Sequence, residues 1–487
     1  MRLPISGQQD WSAADRHGMA YDNPQFWDAT HMESELHRVF EICNGCRLCF
    51  NLCPSFDVLF RRVDELDPHR EEAEGKHIEE GKIVEEHEAA ELLKHVTVST
   101  ENPVSLLKDE DHRRVVELCY ECKLCFPKCP YVPPHEFAVD FPKLMLRAKM
   151  IQAKDEGIAL RERFLGATDL VGSVMTKIAP LANAAAHNAF NRMLMDKTIG
   201  IARDRQLPTY AEETFSTWWS RRAPVAGGGD TPVALFATCY VNYNDPAIAK
   251  AAVDVLEKAG CDVECPEQVC CGMPKIDGGD LEGARALARR NVETLLPAVR
   301  AGRKIVTPGP SCTLMLRTEY PELVPTAEGR EVAAAVMDLS DFVLQQARAK
   351  KLPKPAPGAV GKVAYHVACH NRVQNFGYRG RDLLKWAGGA VTLVDRCCGM
   401  DGTWGMKSEF FADSLKVAEG AARRVESAEP EVVSSDCPLA GLQLKQKTGR
   451  PSYHPVRILS AAYAGEPLRS PRTDNPKQGD LPGAKPT

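Results

Sequence analysis

Short apolar runs bounded by turn residues alternate with helical stretches through the second half of this chain. Residues 233–237, 305–307, 363–368 and 432–434 read as buried strands, and residues 247–258 and Arg379–Trp386 carry helical periodicity. The succession strand, helix, short strand, helix, strand occurs twice, so two βαβαβ halves are predicted. FATCYVNYND, ending at Asp245, answers HVACHNRVQN, ending at Asn375. Cys270-Cys271-Gly272-Met273 answers Cys397-Cys398-Gly399-Met400, and each half closes on a strand followed by one more cysteine, Cys312 or Cys437.

Upstream, residues 151–222 hold no cysteine and read as helix. Leu170, Val171, Val174, Met175, Ile178 and Leu181 recur at helical spacing, interrupted by Asp169, Ser173 and Lys177. Phe190, Met193 and Leu194 extend the stripe. Such a stripe either packs on a core or lies on a bilayer or membrane partner. Its polar face is not strongly basic, so a core-facing connector is expected.

The 487 residues suggest about three domains at ~150 residues each. Basic and acidic residues nearly balance, 61 against 66, and no basic stripe is interleaved with aromatics, which excludes nucleic acid as a partner. The N-terminus lacks an apolar run and no stretch nears ~18 apolar residues, so neither a secretory leader nor a spanning helix is expected. The expected location is cytoplasmic. Eighteen cysteines without an export signal point to metal or redox chemistry rather than disulfides.

Eight of them form two blocks, Cys43-x2-Cys46-x2-Cys49-x3-Cys53-Pro54 and Cys119-x2-Cys122-x2-Cys125-x3-Cys129-Pro130. This is the spacing of bacterial ferredoxins. Three thiolates two residues apart wrap three corners of a four-iron cube on one tight loop. The fourth, after a longer step and a proline, faces the other cube. The expected ligands are Cys43, Cys46, Cys49 and Cys129 for one [4Fe-4S] cluster, and Cys53, Cys119, Cys122 and Cys125 for the second. Paired CxxC zinc ligands would leave the extra cysteines and both prolines unexplained. The insert between the motifs, residues 54–118, is long and highly charged around residues 71–91. A helical fold is therefore expected instead of a small two-sheet ferredoxin.

In each later half the cysteines fall just beyond predicted strand ends, where open α/β sheets gather ligands. Cys239, Cys270, Cys271 and Cys312 are expected to meet in the first half, and Cys369, Cys397, Cys398 and Cys437 in the second. Adjacent cysteines need a kinked loop to face one ligand, and Gly272 and Gly399 supply that freedom. Four thiolates fit a cluster or zinc, and a pair could instead perform dithiol chemistry. Cys261 and Cys265 remain as buried thiols near a strand.

The predicted fold class is thus α+β and multidomain. A helical ferredoxin-type two-cluster domain spans 1–150, a helical connector 151–224, the Cys-Cys-Gly halves 225–360 and 361–466, and a disordered tail 467–487. Linkers are read at 225–232 and 351–362.

QVCCGMPKIDGGDLEGA, PGPSCTLM, YHVACHNRVQNFG, DGTWGMK and SSDCPLAG, together with both ferredoxin-type blocks, carry a resemblance over residues 40–465. The chain resembles the family of C subunits of anaerobic glycerol-3-phosphate dehydrogenase and, more broadly, the heterodisulfide-reductase-related iron–sulfur proteins. The resemblance implies an electron-transfer subunit in anaerobic respiration. It would accept electrons from a partner flavoprotein dehydrogenase and pass them toward membrane quinone, with peripheral attachment to the inner face of the cell membrane. It also implies one or two further clusters in the Cys-Cys-Gly halves. Relatives that hold non-cubane clusters add a CxxC pair, but here Gly309 stands three residues before Cys312 and Ala440 three after Cys437. A conventional four-thiolate cluster is therefore expected in each half. Alternative readings are a thiol–disulfide reductase of the heterodisulfide kind and an electron donor to a rubrerythrin-like peroxidase. His370 is expected as a hydrogen-bonding neighbour of Cys369, and His454 as structural. Asp401, Gly402, Thr403 and Trp404 either shape the cluster pocket or form a packed turn. No catalytic residue, P-loop or dinucleotide fingerprint is apparent.

Overall fold

The computed structural model describes residues 19–67, 102–223 and 229–472. The charged stretch 71–91, residues 224–228 of the first linker and residues 473–487 of the tail lie outside the described residues. The chain divides into two compact units. The first comprises Met1–Cys119 with Cys125–Ile151, the second Tyr120–Leu124 with Gln152–Thr487.

The first unit is helical, as expected, with no strand among its described residues. Helix α1, Ala29–Cys46, starts where the Asp28 carboxylate accepts from the His31 N–H at 2.7 Å. It buries Met32, Leu36, Val39 and Phe40 on one face. Helix α2, Pro54–Leu66, opens with proline, whose missing N–H has no intrahelical partner to lose, and buries Phe56, Leu59, Phe60 and Val63. Helix α3, Asp109–Leu118, adds Val115 and Val116, and helix α4, Phe141–Glu156, adds Phe141 and Met145. The Phe56 and Phe141 rings meet at 4.4 Å, and the buried Ser55 hydroxyl donates to the Val115 carbonyl at 2.8 Å. Fully burying each such apolar side chain stabilises the fold by roughly 1.5–3 kcal/mol.

The second unit contains two parallel sheets. Strands β1 (Thr231–Leu235), β2 (Cys261–Glu264), β3 (Lys304–Thr307) and β4 (Val336–Asp338) stand in the order β2-β1-β3-β4. Strands β5 (Lys362–His366), β6 (Ala390–Val394), β7 (Val432–Ser435) and β8 (Ser452–Tyr453) repeat it as β6-β5-β7-β8. The duplication read from sequence is present, and each half gains a short fourth strand. The central pairs run in matching register, Ala234 beside Ile305 and Ala364 beside Val433. In each sheet the strand order switches sides at the first strand, and loops leaving the carboxyl ends there open a crevice. Both sheets draw on one apolar core. Leu256, Leu339 and Val343 of the first half pack in the same cluster as Leu383, Leu384 and Leu459 of the second.

The connector departs from expectation. Its large apolar residues face solvent: Leu170 is 67% exposed, Leu181 69% and Phe190 66%. The buried side of helix α5, Thr168–Lys177, is Gly172 and Thr176. A Cβ on Gly172 would lie 2.4 Å from the Tyr243 ring, so this helix packs inward through its small face. No helix of the described residues is long and apolar enough to cross a membrane.

Candidate metal centres

In the first unit Cys43 and Cys46 occupy the last turn of α1, so the first motif begins on a helix and not in a loop. Arg47 ends that helix in a left-handed conformation (φ 51°), with its N–H on the Cys43 carbonyl at 2.8 Å. Its guanidinium grips Asp64 of α2 through contacts of 3.0 and 2.5 Å, which ties the turn to the neighbouring helix. Cys53 stands immediately before α2. Burial, followed by the charges of Cys129, Cys49 and Cys46, pushes the Cys43 thiol far up. Burial likewise raises Cys49 to about 11 and lifts Cys129. The four residues expected to share the first cluster thus converge from two distant motifs. Thiols that resist ionising together are a site a cation would complete. Of the second expected set, Cys119 and Cys125 are buried in the first unit's core and Cys53 packs against it. The Lys149 ammonium fixes the Cys119 carbonyl at 2.6 Å. Cys122 belongs to the Tyr120–Leu124 segment of the second unit.

The first half gathers its four thiols at the carboxyl ends of β1, β2 and β3. Cys239 begins a short helix, Cys239–Tyr243, and its sulfur lies 3.8 Å from that of Cys270. Cys271 interacts with both Cys270 and Cys312. Gly272 takes φ 96° directly after the pair, and its N–H points at the Cys270 sulfur at 3.5 Å. The fully buried Asn291 holds this turn. Its amide donates to the Cys270 carbonyl at 3.1 Å and accepts from the Val269 N–H at 3.0 Å. Tyr320, also buried, donates to the Cys271 carbonyl at 3.0 Å. From α5, the Asp169 carboxylate accepts the Cys270 N–H at 2.5 Å, and the neighbouring Thr168 favours the ionised forms of Cys239 and Cys270. Burial pushes Asp169 up to about 6. Cys270 is held well below the usual thiol range, chiefly by donation from Cys239 and Cys271.

The second half repeats the arrangement with different supports. Gly399 has φ 67° and directs its N–H to the Cys397 sulfur at 3.3 Å. A Cβ there would meet the Ser414 carbonyl at 2.4 Å, so glycine is required by space as well as by φ. Ser414 donates to the Gly399 carbonyl at 2.6 Å and receives Arg205 at 2.8 Å. Arg205, buried, also reaches the Gly405 carbonyl at 2.7 Å and stacks on Phe411. Burial pushes all four thiols up, Cys437 to about 11. The Tyr120 hydroxyl, 3.4 Å from the Cys397 sulfur, opposes that rise. Cys369 also feels the charge of Cys122.

His370 lies near the Cys369 sulfur, but its ring bonds to Glu121 and Ser311 and not to that sulfur. Burial lowers its imidazole to about 4, so the ring is neutral. Nε2 lies 3.1 Å from the Glu121 carbonyl, which can only accept, and Nδ1 lies 2.8 Å from the Ser311 hydroxyl. The proton therefore sits on Nε2. His454 is structural: its Nδ1 accepts from Val456 at the start of helix Pro455–Ala464. Cys261 lies in β2, and the Cys265 thiol faces the Leu235 carbonyl. The sequence reading missed Thr168, Asp169, Asn291, Tyr320, Ser414 and Arg205. Each acts from a helix or loop distant in sequence from the cysteines it serves, with no local spacing to mark it.

The thiol sets fit a group larger than one ion. Zinc at ~2.3 Å from four sulfurs needs sulfurs ~3.8 Å apart. Cys239 and Cys270 are that close, but among the described residues no three thiols lie within 4.8 Å of one another. In the second half Tyr120, Ser311, Cys369, Cys397, Cys398 and Cys437 line one recess.

Helical ferredoxin-type motifs joined to paired cysteine-rich α/β halves define an iron–sulfur electron-transfer protein. The cysteine-rich domain family (CCG) matches residues 233–317 and 363–445, and the citrate utilization protein B Fer4-like domain matches residues 36–155. The C subunit of anaerobic glycerol-3-phosphate dehydrogenase from Escherichia coli K12 is 32% identical over 312 residues, covering 63% of this chain and 78% of that protein. Lactate utilization protein A of Bacillus velezensis is 31% identical over 219 residues, covering 42% of this chain and 87% of the relative. That of Bacillus licheniformis is 30% identical over 216 residues, with the same coverage of 42% and 87%. The chain belongs to the family of anaerobic glycerol-3-phosphate dehydrogenase C subunits.

Proposed function

We propose that this chain is the iron–sulfur subunit that carries electrons from a partner flavoprotein dehydrogenase, of the glycerol-3-phosphate dehydrogenase kind, toward membrane quinone. The convergence of Cys43, Cys46 and Cys49 with Cys129 carries this reading, because crossed ligation from two motifs is what a pair of ferredoxin cubes requires. Cys53, Cys119, Cys122 and Cys125 would hold the second [4Fe-4S] cluster. Cys239, Cys270, Cys271 and Cys312, and likewise Cys369, Cys397, Cys398 and Cys437, would hold a further cluster each. Bound clusters supply one-electron carriers. The protein's own part is to supply thiolates, to exclude water by burial, and to aim N–H and O–H groups at sulfur, as Gly272, Gly399 and Tyr120 do.

A peripheral membrane contact on the cytoplasmic side fits the exposed stripe. Leu170, Leu181 and Phe190 face solvent on the same helical stretch as the exposed Lys177 and Lys197.

Iron and acid-labile sulfide in the full chain, purified without oxygen, test the reading. About sixteen irons are expected when both halves are filled, and about eight when only the ferredoxin-type motifs are. The reduced protein should give electron paramagnetic resonance signals that a quinone analogue oxidises. A colourless protein without sulfide would overturn the proposal.

A further inference from the structure

We propose that Asp401 is an oxygen ligand of the group held by Cys369, Cys397, Cys398 and Cys437, and that the first half has no counterpart. This rests on the second-half ligand set proposed above.

Two observations carry it. The Asp401 carboxylate, the Cys369 sulfur and a His370 nitrogen all lie within 4.8 Å of one another, a separation suited to a shared metal. The Asp401 side chain is 8% exposed and lines the same recess as the four cysteines.

The backbone supports the aim of the carboxylate. Asp401 takes φ 22°, a left-handed conformation uncommon for a residue with a side chain. It sits between Gly399 at φ 67° and Gly402 at φ 49°, so three of the four residues 399–402 have positive φ. Strained turns of this kind persist where the surroundings over-determine them.

His370 is the weaker candidate. Its Nε2–H is directed at the Glu121 carbonyl and its Nδ1 at Ser311, while Asp401 lies farther from Nε2, at 3.9 Å. An imidazole donating from Nε2 has no lone pair there for iron, whereas the carboxylate offers oxygen lone pairs.

The matching position of the first half is Pro274, whose side chain has no donor atom for a metal. The two halves therefore differ: all-thiolate in the first, thiolate plus carboxylate in the second. A carboxylate is a harder ligand than a thiolate and adds a negative charge. The second-half cluster should therefore contain one distinct iron and hold its reducing electron less readily than the same cluster without Asp401.

The test is Mössbauer spectroscopy and a potentiometric titration on the full chain, loaded with ⁵⁷Fe without oxygen. In the wild-type protein one iron subsite should show a higher isomer shift than all-thiolate irons. Asp401→Asn should lose that subsite while keeping its iron count, and its midpoint potential should shift upward. Unchanged spectra and potential in Asp401→Asn would overturn the proposal. Should Asp401→Asn shed the second-half irons, Asp401→Glu decides. Retained irons with the distinct subsite support the assignment, and an all-thiolate spectrum or loss of those irons refutes it. About sixteen irons in the wild type without a distinct subsite refute this proposal alone. About eight irons refute it together with the second-half ligand set.

Discussion

The hydroxyl of Tyr120 lies 3.4 Å from the sulfur of Cys397, although 277 positions separate them in the chain. A phenol donates to sulfur better than sulfur donates to it, and a donated proton stabilises negative charge on that sulfur. Tyr120→Phe should therefore lower the midpoint potential of the second-half cluster. One hydrogen bond of ~1 kcal/mol corresponds to about 40 mV for one electron. A redox titration followed by electron paramagnetic resonance measures it.

Asn291 is wholly buried and serves the Val269–Cys270 turn and Tyr320 together. Asn291→Leu removes the amide and leaves those backbone groups without it. A loss of ~2–3 kcal/mol in urea unfolding is expected, with iron lost from the first half before the second.

His454 gives a pH signature. Burial lowers its imidazole from 6.5 to about 4, so the unfolded chain binds the proton more readily. Its contribution is unchanged above pH 6.5, and stability is lost as pH falls from 6.5 toward 4, by up to ~3 kcal/mol. Asn at this position can still accept the Val456 N–H as a helix cap. His454→Asn should flatten the acid limb of the thermal midpoint and lower the neutral value, because the buried bond to the Pro308 carbonyl is lost.

The exposed connector gives a binding prediction. Leu170→Gln with Leu181→Gln should leave the thermal midpoint almost unaltered, since both side chains face solvent. If those leucines enter a bilayer, each is worth roughly 1.5–3 kcal/mol of burial. Cosedimentation with anionic vesicles should then fall by more than tenfold.

Not every cysteine should matter. Cys46→Ser is expected to lose about four irons from a filled chain. Cys261→Ser, in a strand, should lose none.

Much of this arrangement could be read from residue order. The two ferredoxin-type blocks, the doubled Cys-Cys-Gly turn and the need for glycine at 272 and 399 each follow from spacing that one chemistry demands. The strands at 305–307 and 432–434 were visible because short apolar runs between turns have few other uses. β4 and β8 were not, because three residues following a helix, and two beside a proline, carry no period. The connector misled for a clearer reason. Periodicity reveals that a helix has an apolar side, but not whether that side faces inward. Gly172 and Thr176 face inward because a close approach to Tyr243 rewards small size over apolar character. Asp169 was noticed only as an interruption, since its bond to Cys270 joins residues 101 positions apart.

The shared interior of the two sheets bears on how such a chain diversifies. A symmetric homodimer must change both its pockets whenever one codon changes. Here the equivalent of two protomers is fused into one polypeptide, and neither can be cut away without baring the other's oily flank. Each pocket can therefore mutate alone, and proline at 274 opposite aspartate at 401 shows that the two already differ.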